Sequence, residues 1–190
     1  GEYVTCDMTD FLALETFLAK INPDSIVHCA AWTDVDGCED NVQKAMALNC
    51  DITRSVAQIA HELNALFCFI GTDYIFDGSA TSPYSESDTP HPLNVYGKSK
   101  YAAEEAAKQV SGRYVIVRPS WVFGGTRRHT NFVNSIIRFY EEKKPLRIVQ
   151  DQHGCPTYTE DFAVALHNIV GRYIAQNHVQ ETFHVVNAQP

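Results

Sequence analysis

Basic residues never cluster in this sequence. Fifteen Lys and Arg stand against 23 Asp and Glu, a formal charge of −8, and the basic pairs Arg127-Arg128 and Lys143-Lys144 are too short to change the balance. A nucleic acid or an anionic membrane surface needs a concentrated positive patch, so neither is an expected partner. No apolar run approaches the roughly 20 residues that span a bilayer, and nothing at the start reads as a signal peptide. The six cysteines (Cys6, Cys29, Cys38, Cys50, Cys68 and Cys155) form no CxxC and no metal-like cluster, and no Asn-x-Ser/Thr acceptor occurs. Cys29 and Cys68 fall in apolar runs, where a free thiol acts as a small core residue. These features point to a reducing, cytoplasmic setting. His28, His61 and His153 lack ligand spacing and there is no HExxH, which argues against a metal catalyst. A nucleophile-elbow motif, internal repeats and low-complexity segments are also missing.

With 190 residues and 45% apolar content, the chain suits one globular domain with a sizeable core. Three short runs, "SIVHCAA" (25–31), "ALFCFIG" (65–71) and "RYVIVRPS" (113–120), are nearly continuous in apolar residues, as strands covered on both faces must be. Longer helical patterns separate them. Thr9 is placed to cap a helix that ends at Ile21, before Asn22-Pro23. A second helix is expected from Asn41 to Leu63, with Ala45, Leu48, Ile52, Val56 and Ile59 on one face. A third runs from Asn94 to Val110. Beyond Gly124-Gly125 the pattern predicts a helix over 131–140, a short strand over 147–149, a helix over 161–173 and a final strand "TFHVVN". Strand–helix–strand alternation at this spacing reads as an α/β fold, a Rossmann-type doubly wound parallel sheet.

Ligands of such sheets bind outside the carboxyl ends of the strands. Ala30, Ala31, Trp32 and Thr33 follow one strand; Thr72, Asp73 and Tyr74 follow the next; Ser120, Trp121 and Phe123 follow the third. Tyr96 and Lys100, at i and i+4, open the helix between the second and third strands, so they point the same way. A phenol beside a fixed ammonium can exchange a proton near neutral pH, and the ammonium is expected to lower the phenol's pKa. Alone, the pair is equally a packed ring beside a solvated lysine. Its company at one sheet edge favours catalysis.

Five segments, taken in order, resemble the extended short-chain dehydrogenase/reductase family, nucleotide-sugar branch. They are "HCAAWTDVDGCED", "GTDYIFDG", "PLNVYGKSK", "RPSWVFG" and "DQHGCPTYTEDFA". The resemblance covers nearly the whole chain. Two features of the family's pattern are not found. No GxGxxG or GxxGxxG precedes Tyr3, so the chain is expected to open at the family's third strand, "EYVTCDMTD", one βαβ unit of about 30 or more residues into the fold. It also stops before the family's last helices. The resemblance thus implies an incomplete dinucleotide-binding part over 1–124 and an incomplete substrate-binding part over 125–190, interleaved with the last strands.

What the resemblance implies about chemistry is specific. NADPH (or NADH) would reduce the 4-keto group of dTDP-4-dehydro-6-deoxy-L-mannose to give dTDP-L-rhamnose. Tyr96 would be the acid, Lys100 would also bind the nicotinamide ribose, and Thr72 would hydrogen-bond the carbonyl oxygen or the Tyr96 hydroxyl. Asp73 and Trp121 would contact the sugar, although a turn residue and a packing indole are the plain alternatives. Asp7 and Met8 would border the adenine, or else serve as a helix cap and a core methionine. Ala31, Trp32 and Thr33 would run along the cofactor. A homodimer is compatible with this picture. Two other functions fit the same scaffold: another nucleotide-sugar reductase or epimerase, and a non-catalytic NADP-binding regulatory subunit. Sugar dehydratases usually carry Thr-Asp-Glu where this chain has Thr72-Asp73-Tyr74, which counts against dehydration.

Overall fold

A computed structural model describes residues 3–125, 131–146, 148 and 150–187. Four parallel strands form the main sheet: β1 (Ser25–His28), β2 (Leu66–Ile70), β3 (Arg113–Arg118) and β6 (Val179–His184), in the spatial order β1-β2-β3-β6. Alternate residues of β2 and β3 serve two cores, as the two-residue repeat of a strand requires. Phe67, Phe69, Tyr114 and Ile116 pack with the helices α1 (Phe11–Ile21), α4 (Ile52–Glu62) and α5 (Val95–Val110). Leu66, Cys68, Val115 and Val117 face the opposite way, onto α7 (Thr159–Tyr173) through Phe162, Leu166 and Ile169. Each fully buried side chain of this size is worth about 1.5–3 kcal/mol. A two-stranded piece, β4 (Val122–Phe123) beside β5 (Thr157–Tyr158), and α6 (Phe132–Glu141) lie between β3 and α7 in the chain.

The structure corrects several boundaries. Residues 3–7 form no strand, because no described strand lies beside them to bond; Tyr3 and Val4 stand exposed. Asp10, not Thr9, caps α1 by accepting from the Ala13 N–H, while Thr9 bonds to Asp7. The helix expected from Asn41 to Leu63 is divided. After α2 (Val35–Asp40), α3 (Val42–Ala45) widens into a π-helical stretch, Met46–Asp51, before α4 resumes. Cys29 is exposed rather than in the core, because β1 ends one residue before it. The strand expected over Arg147–Val149 lies outside the described residues at both ends.

Helix α5 is the element that matters most for the site. Asn94 caps it by accepting from the Gly97 N–H at 2.7 Å, and Ala-rich turns carry it to Val110. Glycine at position 97 lets its first turn press against the chain after β2; a Cβ there would strike the Tyr74 carbonyl. This close approach fixes Tyr96 beside Thr72. Among the described residues, no helix is long and apolar enough to cross a membrane.

Candidate functional site

The carboxyl ends of β1, β2 and β3 meet the first turns of α5. Tyr96 is only 9% exposed and lies edge-on to Tyr74, ring centroids 5.6 Å apart. The Thr72 hydroxyl lies close enough to the Tyr96 phenol to pull its pKa down. It also donates to Asp73 Oδ1 at 3.3 Å, and the Ser120 hydroxyl donates to Asp73 Oδ2 at 2.6 Å. Asp73 thereby ties the end of β2 to the end of β3, and burial raises its pKa. The three residues that sequence reasoning placed at the end of β2 and the start of α5 do come together.

Lys100 is 3% exposed. Its ammonium donates to the Ile70 carbonyl at 2.6 Å and sits over the Phe69 ring at 4.1 Å. Desolvation pulls its pKa down to about 8, against the favourable pull of Glu104 and Cys29. Tyr96 departs from expectation here. Its pKa is not lowered by the lysine; burial pushes it up to about 12, with Thr72 pulling the other way. The i, i+4 spacing sets the direction of Lys100, but its charge is spent on the Ile70 carbonyl and the Phe69 face. For a proton donor this is no handicap: a raised pKa keeps the proton on the phenol until an alkoxide, a stronger base, forms beside it.

Ala31 and Trp32 are half-buried and Thr33 is exposed on the segment after β1. Its conformation is set by Asn49, whose amide accepts from the Trp32 N–H at 2.7 Å and donates to the Trp32 carbonyl at 3.1 Å and the Ser99 hydroxyl at 2.9 Å. The Ser99 hydroxyl donates in turn to the Tyr96 carbonyl at 2.8 Å. The π-helical turn that carries Asn49 thus links the segment after β1 to the helix bearing Tyr96. Sequence reading missed Asn49, although a polar residue between buried Ala45 and Val56 was the available signal. Trp121 adopts a left-handed backbone, φ 43°, uncommon for a bulky residue, and its indole lies 5.6 Å from Phe132 of α6. Asp7 accepts from the Thr9 N–H and hydroxyl in a turn leading into α1, and Met8 packs on the core that α1 shares with α4. Among the described residues, no group of three His, Cys, Asp or Glu side chains is arranged to hold a metal ion.

A cofactor of the nicotinamide dinucleotide type fits this chemistry. With one N–H given to Ile70, the Lys100 ammonium has two further donors for ribose hydroxyls. Ala30 and Ala31 leave the backbone after β1 open to a close approach.

The comparisons bear on the whole chain. The family described as "RmlD substrate binding domain" matches residues 2–190. The spore coat polysaccharide biosynthesis protein SpsK of Bacillus subtilis is 37% identical over 166 residues, 87% of this chain and 56% of the relative. The dTDP-4-dehydrorhamnose reductase of Salmonella typhimurium is 35% identical over 167 residues, 88% of this chain and 55% of that enzyme. This chain therefore spans little more than half the length of these curated relatives. A crystal structure of dTDP-4-dehydrorhamnose reductase from Bacillus anthracis in complex with NADP superposes with a TM-score of 0.87 at 36% identity, covering 96% of this chain and 63% of that one. A dTDP-glucose 4,6-dehydratase from Streptomyces venezuelae, 19% identical with a TM-score of 0.83, shares the fold. With the family matching residues 2–190 and these relatives 35–37% identical over 87–88% of the chain, the chain belongs to the RmlD substrate-binding-domain family.

Proposed function

We propose that the protein carrying this chain reduces the 4-keto group of dTDP-4-dehydro-6-deoxy-L-mannose to dTDP-L-rhamnose with NADPH (or NADH). The observation that carries the reading is the burial of Thr72 and Tyr96 side by side, with Lys100 one turn further along the same helix. Bound NADPH supplies the hydride. Tyr96 gives its proton to the sugar oxygen as negative charge develops there, and Thr72 holds the Tyr96 hydroxyl in line. Lys100 keeps one positive charge in the buried site and offers N–H donors to ribose. Asp73 and Trp121 orient the sugar, the carboxylate toward hydroxyls and the indole against a ring face. Ala31, Trp32 and Thr33 run along the cofactor, and Asp7 and Met8 border the adenine. The division at residue 124 into a dinucleotide-binding part and a substrate-binding part belongs to this proposal, as do a cytoplasmic location and a homodimer.

The test is NADPH oxidation by the complete gene product on adding the dTDP-linked 4-keto sugar, across pH. Activity should be level below the pKa of Lys100, then fall about tenfold per unit once the ammonium is lost, with the limb beginning near 8. Tight NADPH binding with no sugar reduced would instead favour the regulatory subunit.

A further inference from the structure

Four residues beyond Lys100 on the same helix face, Glu104 is completely buried. Both its oxygens accept from Arg118 Nε at 3.2 Å, and Oε2 also accepts from Nη2 at 2.8 Å. Arg118, 4% exposed at the end of β3, reaches His184 of β6 as well, Nη1 to Nε2 at 3.3 Å. A guanidinium can only donate, so His184 accepts at Nε2 and carries its proton on Nδ1, which donates to the Tyr84 carbonyl at 3.2 Å. Gly71 presses against this pair: a Cβ there would stand 2.6 Å from Glu104 Oε1 and 3.1 Å from the Arg118 side chain. Gly71 also separates Ile70, which receives the Lys100 ammonium, from Thr72, beside Tyr96. The ion pair packs on the residue between these two.

We infer that Glu104, held by Arg118, is a positioning residue that keeps the buried Lys100 ammonium charged and seated on the Ile70 carbonyl. The inference rests on the reductase reading above for its kinetic readout. Three titratable groups face Lys100. Glu104 comes from its own helix, and His28 and Cys29 from β1 and its end; Phe69 and the Ile70 carbonyl face it from β2. His28, pushed down to about 4 by burial, is neutral at pH 7. Partial desolvation raises the Cys29 thiol, so it is not an anion there. Glu104 is the one full negative charge of this set. Arg118 locks that carboxylate in place through its Nε and Nη2 donors.

The experiment compares the complete gene product with Glu104→Gln and with the double variant Glu104→Gln/Arg118→Met, which leaves neither member of the Glu104–Arg118 pair without its partner. Two quantities are read: the alkaline limb of kcat, and the NMR titration of the Lys100 side chain, assigned with Lys100→Met. Both should move down by about one pH unit in Glu104→Gln, the size expected on losing a nearby opposite charge. That is about a fivefold loss of turnover at pH 8, with KM for the sugar unchanged. In the double variant Tm should recover while the Lys100 titration stays low. An unmoved titration in Glu104→Gln, or recovery of both Tm and titration in the double variant, overturns the proposal and leaves the pair a packing device. Absent turnover in the parent protein would sink the reductase reading alone, since the NMR titration decides the role of Glu104 by itself.

Discussion

Tyr96→Phe should lower turnover by about 10²–10⁴-fold while leaving the melting temperature and NADPH affinity close to the parent values. The substitution removes one oxygen and keeps the ring, which is packed edge-on to Tyr74 and against Cys38 and Ala45. On the proposed reading the lost group is the proton donor, and the site's shape stays. Because burial holds the phenol's pKa up at about 12, the protonated acid is the resting form throughout the working range, and the pH dependence should come from Lys100 instead. Steady-state kinetics of the complete gene product check this. A variant within a few-fold of the parent would place the proton donor elsewhere.

Arg118→Met should cost about 3–5 kcal/mol in urea denaturation, the largest stability effect expected of any single change at the site. Glu104 would be left as a buried carboxylate with its fork of donors gone, and His184 would lose the partner at Nε2. Replacing both charges should restore much of the loss, because a desolvated ion pair returns little more than a well-packed apolar pair of similar volume. A cost below about 1 kcal/mol for Arg118→Met would mean that water reaches the carboxylate.

The strands were legible because their burial on both faces writes itself as unbroken apolar runs, and β1, β2 and β3 lie within the segments expected. The placement of Thr72, Tyr96 and Lys100 at one sheet edge was legible for a related reason: residues at strand ends and at i, i+4 on one helix have their directions fixed by backbone geometry. Depth of burial was not legible. It decides that Tyr96 is raised rather than lowered, and that Lys100 bonds to a carbonyl. Glu104 sits in an Ala/Glu-rich helix that reads as solvated, and its partner lies 14 residues away on a strand. No local pattern joins the two. Asn49 was hidden by treating a divided helix as continuous, and the residues after Met8 were expected to start α1 one cap too early.

The most direct test of the account is the fate of a label. The complete gene product would be given NADPH deuterated at the transferable position together with the dTDP-linked 4-keto sugar, and the product examined by NMR. The account predicts one deuterium at C4 of the sugar and stoichiometric NADP⁺. Sugar rearranged without deuterium, or no product with the label still on the cofactor, would contradict it.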